Sequence, residues 1–355
     1  MNNPDVCVLV TGVGGGSLGR EIIKAFKMAP HNYKIVATDA SAKSVGLFET
    51  SHRYIVPEAN SERYLSSIQD ICSKEKVQVI VPGSEPETDI MAKNKKLFSE
   101  KNITVLTNPW ETIQKCKDKL NLANFFSSKG IACPKSILFE NEVTVKQIEK
   151  YPVVIKPRSG AGSRDVFLAH DENEAKFFGN YLLKHGNEAI IQEYVGDYEA
   201  EYTIGILYAD NGKLVTSIAM KRLLEGGLST RQITKGQNNE KKYVISSGIS
   251  QGEFNEFNDV RKAGEIIAKI LDADGPINIQ CRKTKDGILP FEINPRFSGT
   301  TGSRSLVGCN EPDILCRYRL FGEIPSQPNY EVGFVLRDLQ ERFITQDDIE
   351  KIPKI

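Results

Sequence analysis

Glu292 and Asn294 stand two residues apart in the stretch Pro290–Arg304, PFEINPRFSGTTGSR, and Arg296, Ser298, Thr300 and Thr301 follow at once. Alternate residues of a strand share a face, so a carboxylate and an amide oxygen would point together. Hard oxygen donors of this kind suit Mg²⁺ that is also held by the phosphates of a nucleotide. Glu-x-Asn alone is equally at home on a polar turn edge. A preceding strand, GPINIQ over Gly275–Gln280, adds to the pattern, with Lys285-Asp286-Gly287 as the intervening turn. A type I turn with Gly287 in the left-handed position sets Gln280 opposite Glu292. Cross-strand partners share a face, so Gln280, Glu292 and Asn294 would converge on one point.

A second group with chemical potential is PVVIKPRSGAGSRDV, Pro152–Val166. Lys156 ends a buried apolar strand, where an unpaired ammonium is costly and a phosphate partner would remove the cost. In the loop Ser159-Gly160-Ala161-Gly162-Ser163, small side chains leave backbone amides free to close over phosphate oxygens, with Arg164 as a further donor. No Gly-Lys-Ser/Thr follows, so this is not a Walker A loop. Gln192, Glu193, Tyr194 and Val195 end a later strand, where a linker between lobes could offer backbone groups to an adenine edge. Glu201 follows, suited to ribose hydroxyls or to pairing with a cation. A third candidate, TGVGGGSLG over Thr11–Gly19, follows a strand and opens a helix, with Asp39 about 20 residues later. Alone it suggests nicotinamide dinucleotide binding, but tight strand–helix packing requires the same glycines.

These residues need a framework. At 355 residues the chain calls for two or three lobes. Lys plus Arg and Asp plus Glu are 46 each, so no bulk counter-charge argues for nucleic acid or an anionic membrane as partner. No apolar run approaches the ~20 residues of a membrane span, and the start MNNPDVCVLVTG reads as a strand, not a leader. Seven scattered cysteines without a C-x-x-C pair read as reduced core thiols of a cytoplasmic protein.

Residues 1–112 alternate strand and helix, which predicts a Rossmann-like parallel sheet. Residues 113–193 open on one helix from about Ile113 to Lys129, carrying Asp118-Lys119 and ended by Gly130, and continue into a small lobe. Residues 194–355 hold longer antiparallel strands, a polar loop over 224–237, a helix over Asn258–Leu271, the paired strands above, and a tail.

Taken in order, Lys119, Lys156 with its glycine loop, QEYV, Gln280 and EINPR resemble the ATP-grasp superfamily, nearest its carbamoyl-phosphate-synthetase-like branch in single-copy form. The resemblance covers nearly the whole chain. The fold class it implies is α/β and α+β, a Rossmann-like N-terminal domain that binds no dinucleotide followed by a two-lobed ATP-grasp domain. It implies that Lys119 and Lys156 contact ATP phosphates and that Ser159, Gly160, Gly162 and Ser163 fold over them. Gln192–Val195 would frame adenine, Glu201 would bind ribose, and Gln280, Glu292 and Asn294 would hold two Mg²⁺, or Mn²⁺ in their place. Arg296 would face the carboxylate being activated. Lys221, Arg222 and Arg231 fall where relatives bind substrate, and Arg304 would clamp a substrate carboxylate or cap local packing. Asp165 departs from the pattern, putting a carboxylate where relatives have a small residue.

The implied chemistry is attack of a carboxylate on the γ-phosphate, then displacement of phosphate from the acyl phosphate by an amine. It needs positioning and charge neutralisation, not a covalent nucleophile. A cytoplasmic, Mg-ATP-dependent carboxylate–amine ligase, a homodimer by default, is therefore the expectation. Carboxylation or phosphorylation at the same site, a non-catalytic nucleotide-binding protein and an NAD-dependent oxidoreductase are the alternatives.

Overall fold

The computed structural model describes residues 6–14, 18–160, 165–210, 212–224, 228–235, 241–324 and 330–355. The N-terminal sheet is built from β1 (Val6–Thr11), β2 (Tyr33–Asp39), β3 (His52–Ile55), β4 (Val79–Val81) and β5 (Thr104–Val105), all parallel, in the order β3-β2-β1-β4-β5. Every residue of β1, VCVLVT, is buried, as expected of a central parallel strand covered on both faces. The covering helices are α1 (Leu18–Lys27), α2 (Tyr64–Glu75), α3 (Glu85–Lys93) and α4 (Lys95–Ser99). In α1, Ile22, Ile23, Ala25 and Phe26 face inward while Lys27 stays exposed.

The expected single helix after this sheet is two, α5 (Trp110–Lys117) and α6 (Lys119–Ser128). Asp118 breaks them, because its extended backbone and side chain cap α6 by accepting from the amides of Leu120 and Asn121. The break places Lys119 at the first position of α6. Gly130, at φ 71, then turns the chain out of the helix.

The small lobe is an antiparallel sheet of β6 (Ser136–Phe139), β7 (Val153–Pro157), β8 (Phe167–Ala169) and β9 (Ala189–Glu193), covered by α7 (Glu172–Lys184). The large lobe carries β10 (Glu201–Ala209) and β11 (Lys213–Arg222), then β12 (Thr230–Lys235) and β13 (Lys242–Ser246) as a separate ribbon, then β14 (Gly252–Phe254). The polar segment expected as a loop over 224–237 thus contains a strand. Helix α8 (Asn258–Ile270), β15 (Pro276–Thr284) and β16 (Gly287–Asn294) follow, then α9 (Thr301–Leu306), α10 (Glu311–Phe321), β17 (Gly333–Val335) and α11 (Gln346–Glu350). The large sheet runs β16-β15-β10-β11-β14-β17.

Apolar packing divides the molecule unevenly. Val8, Val10 and Phe26 of the N-terminal domain share one core with Leu207, Ile218, Phe254 and Leu315 of the large lobe. The tail returns to the N-terminal domain: the Ile55 amide donates to Pro353 O at 2.8 Å and the Ile355 amide to Ile55 O at 3.1 Å. The small lobe has a core of its own, including Phe139, Val153, Ile155 and Leu182. The sites between lobes therefore lie between a continuous body and a separately packed flap.

Arg304, a candidate substrate clamp, is instead interior, 1% exposed, and pairs with Glu311 at 3.1 Å. It also donates to Asn278 Oδ1 at 2.7 Å and Thr203 Oγ1 at 3.2 Å, under the large sheet. Gly205 in β10 makes room for the pair, since a Cβ there would collide with Arg304 Nη1 and Glu311 Oε1. Gly205→Ala should separate a buried pair and destabilise the protein by about 3–5 kcal/mol. Chemical denaturation measures this, and an unmoved midpoint would contradict the role given to the pair.

Candidate active site

A slot opens where the small lobe meets the large one, lined by Val154, Val166, Tyr194, Val195, Ile245 and Phe291 around the polar residues Lys156 and Glu201. Lys156 lies near the end of β7 and is 6% exposed. Its Nζ donates to Gln192 Oε1 at 2.8 Å and to Phe291 O at 3.3 Å. Both acceptors are uncharged, and the ammonium is pushed down to about 7, first by burial, then by the charge of Lys119, with Glu292 opposing. Gln192 is held in turn by donating from Nε2 to Ser136 Oγ at 3.0 Å.

The QEYV residues divide their tasks. The side chain of Gln192 orients Lys156, and Glu193, whose side chain accepts from the Lys135 amide at 3.0 Å, is exposed. The Tyr194 hydroxyl accepts from the Val244 amide at 3.0 Å, and its ring carries the Arg282 guanidinium at 4.3 Å. Val195 O accepts from Arg282 Nη1 at 3.1 Å. Arg282 thus pins the connection between lobes. Sequence reasoning overlooked it, although it stands two residues beyond Gln280 on the same strand face.

The register of β15 and β16 sets Gln280 opposite Glu292, but by another route than the expected turn. Thr284 pairs with Gly287, leaving only Lys285 and Asp286 in the loop, and Gly287 has φ 118. The strands then shift by one residue: Cys281 faces Pro290 and Gln280 faces Glu292, so Phe291 is extra. Asn294 Nδ2 donates to Glu292 Oε1 at 3.0 Å. Gln280 Oε1 accepts from Arg222 Nη1 at 3.0 Å.

Beside these residues, on the same sheet face, lies a buried charged cluster. Glu201 is fully buried; Oε1 is 2.8 Å from Arg222 Nη1 and Oε2 is 2.9 Å from Arg282 Nη2. Arg222 also donates to Ser246 Oγ and Ser247 O. Two guanidinium groups around one carboxylate leave positive charge that Glu292, acting on Arg222 electrostatically, offsets. One carboxylate and two amides fit a divalent cation that takes its remaining ligands from phosphate and water. Gln280 would have to leave Arg222 to join them.

Other expected residues sit differently. Lys221 pairs with Tyr202 and Glu253, so strand alternation turns it to the sheet face opposite Arg222, away from the site. Arg222 reaches the site, but as a buried partner of Glu201 and not as an open substrate ligand. Arg231 is exposed on β12. Arg231 was expected in the loop over 224–237, and alternation along β11 separates Lys221 from Arg222. Lys119 Nζ donates to Gly160 O at 2.7 Å, and Gly160 has φ 115; both it and Ser159 border the larger cleft beside the slot. Gly162, Ser163 and Arg164 lie outside the described residues. Asp165 has φ 54, a left-handed backbone that Asp tolerates better than most residues.

That cleft runs between the N-terminal domain and β16 and includes Lys119, Glu292, Asn294 and Arg296. Arg296 Nη2 is 2.9 Å from Glu85 Oε1, and Arg296 Nη1 donates to Phe297 O at 2.9 Å. Glu85 was missed by sequence reasoning, although SEP after a short strand marks a helix start at the carboxyl end of a parallel sheet, the usual ligand crevice.

The glycine turn of the N-terminal domain is used for packing. Added Cβ atoms at Gly19 and Gly83 would collide with Thr11 O, and one at Gly12 would collide with the Glu87 carboxylate. Glu87 is buried, accepts from Tyr64 at 3.0 Å and Ser84 at 2.8 Å, and is pushed up to about 7, chiefly by burial. A pyrophosphate would add negative charge beside it. Residues 15–17 of this turn lie outside the described ones.

Residues 8–106 match the PylC-like N-terminal domain family and residues 116–300 the ATP-grasp domain family. A carbamoyl-phosphate synthase of Methanobrevibacter smithii is 23% identical over 271 residues, covering 75% of this chain and 68% of that protein. A carbamoyl phosphate synthase large chain of Synechocystis is 21% identical over 310 residues, covering 82% of this chain but only 28% of its own length. Among solved structures, a biotin carboxylase from Campylobacter jejuni in complex with β,γ-ATP superposes with TM-score 0.64 at 13% identity, covering 92% of this chain and 73% of that one. An L-amino acid ligase from Bacillus licheniformis gives 0.62 at 16%, covering 91% and 78%. These likenesses establish a common fold. No helix among the described residues is long and apolar enough to cross a membrane. With its ATP-grasp match spanning more than half of its length, the chain belongs to the ATP-grasp family.

Proposed function

We propose that the protein is a Mg-ATP-dependent carboxylate–amine ligase acting through an acyl phosphate. The observation that carries this reading is Lys156, a buried lysine whose acceptors among the described residues, Gln192 and the Phe291 carbonyl, are neutral, at the junction of an apolar slot and the Glu292–Asn294 face. Adenine occupies the slot between small-lobe valines and Phe291. Lys156 and Lys119 take the phosphates, whose negative charge supplies the partner that Lys156 lacks.

A substrate carboxylate oxygen bonds to the γ-phosphorus as the bond to ADP breaks. The amine nitrogen then bonds to the acyl carbon and the carbon–oxygen bond to phosphate breaks. The ammonium gives up two protons overall, one leaving on the phosphate. Glu292 and Asn294, with Gln280 turned from Arg222, would hold Mg²⁺, which would neutralise charge on the transferring phosphoryl group. Arg296 orients the acid. Glu201 orders Arg222 and Arg282; its Oε2 accepts twice from Arg282, so the lone pair left for a ribose hydroxyl is on Oε1. The separately packed small lobe closes on the larger body, excluding water from a hydrolysable acyl phosphate.

Glu292→Ala should lower ADP release, screened across amines and acids, by about 100-fold or more while leaving the melting temperature close to the parent's. Unreduced turnover would sink the metal assignment. The lysine gives a signed pH effect. Without nucleotide, Lys156 titrates near 7, so above that pH its neutral form dominates. Phosphate oxygens favour the ammonium and raise its pKa, so Mg-ATP binding at pH 8 takes up a proton, and this contribution to affinity fades as pH rises through the nucleotide-bound value. Calorimetry in buffers of different ionisation enthalpy should show net uptake in the parent and none in Lys156→Met. Equal proton counts in the two would contradict the phosphate role.

A further inference from the structure

Arg296 is already partnered by a carboxylate of this chain. Glu85 Oε1 lies 2.9 Å from Arg296 Nη2, which reaches Asn294 Oδ1 at 3.3 Å as well. The Glu85 side chain is 41% exposed and that of Arg296 19%, so the pair forms part of the cleft wall and not of the core. Both border the same cleft as Lys119, Glu292 and Asn294. Asp89, one turn further along α3, lines this cleft too but is committed to Lys117. Arg296 is the one ion-pair partner of Glu85 among the described residues.

A guanidinium binds a carboxylate through a fixed fork of donors, so an incoming acid and Glu85 compete for the same group. Once the acid takes Arg296, Glu85 is left as an unpaired anion at the border of the reacting carbon. Its complement is a cation small enough to enter beside the acyl group. Resting on the ligase reading above, we propose that Glu85 receives the second substrate as a protonated primary amine after the acid has replaced it on Arg296. The same residue then selects an ammonium-bearing nucleophile over an alcohol or water, and acid binding precedes amine binding.

The test uses the full chain, parent and Glu85→Gln, with Mg·AMP-PNP, acetate as the probe acid, and propylammonium or propanol as the probe nucleophile. Propylammonium should raise the melting temperature of the parent and propanol should not. Glu85→Gln should lose this discrimination while keeping the shift caused by Mg·AMP-PNP. In turnover, with the common L-amino acids as the acid panel, Glu85→Gln should lower kcat/KM for alkylammonium nucleophiles at least about tenfold, equivalent to ~1.4 kcal/mol. Hydroxamate formation from hydroxylamine, which is uncharged near neutral pH, should fall by less than about threefold. Equal loss with both nucleophiles, or equal stabilisation by propanol and propylammonium, would overturn the assignment. Hydroxamate formed by the parent but with both nucleophiles treated alike by the variant would fail the amine assignment alone. Neither nucleotide shift nor hydroxamate in the parent would fail the ligase reading and the amine assignment with it.

Discussion

The extra residue in β16 governs the arrangement of the site. Without Phe291 as a bulge, a hairpin closed by Thr284 and Gly287 would set Gln280 opposite Phe291, and Glu292 and Asn294 would lie on the other face of the sheet. With it, Gln280, Glu292 and Asn294 share one face, and the Phe291 carbonyl receives Lys156 from the small lobe. One irregularity in a ladder thus aligns the oxygen-bearing face and links it to the flap that covers it. Bulges next to active sites commonly re-aim side chains in this way.

A buried charged cluster adjoins these residues on the same face. Glu201 is held between Arg222 and Arg282, and Arg222 extends to Gln280. Lys156 and Lys119 add positive charge on the lobe side, each depressed chiefly by burial. A polyphosphate with its cation would enter such a field with favourable signs, phosphate toward the lysines and metal toward Glu292 and Asn294. The low dielectric of a closed slot strengthens both contacts. On the same face, Arg304, paired with Glu311, grips Asn278 and Thr203, the cross-strand neighbours of Asn294 and Gln280, which couples that face to the packing of α9 and α10.

The order of the motifs was legible because each rests on local chemistry: apolar strand then lysine, glycine loop, strand end, Glu-x-Asn. The parallel N-terminal sheet follows from periodicity in the same way, whereas Gln280 meets Glu292 through the Phe291 bulge and not through the expected turn. What was not legible depended on distant partners. Arg222 and Glu201 are 21 residues apart, and Arg282 and Glu201 are 81 apart, so no spacing rule pairs them. Lys221 and Arg222 were assigned to the site together, but as neighbours on β11 they point to opposite faces of the sheet. The break at Asp118 was readable, since an Asp followed three residues later by Asn is a capping pattern, but a continuous helical stretch obscured it. Glu85 was hidden because the cleft it faces forms only when α3 meets β16.

In the proposed reading the slot and the β16 face together form one Mg-ATP site. A crystal structure of the protein with Mg·AMP-PNP is the sharpest test. Adenine is expected between Val154, Val166 and Phe291, phosphates against Lys156 and Lys119, and the metal on Glu292 and Asn294. Nucleotide bound instead on the glycine turn at Gly12, or a metal away from Glu292, would contradict it.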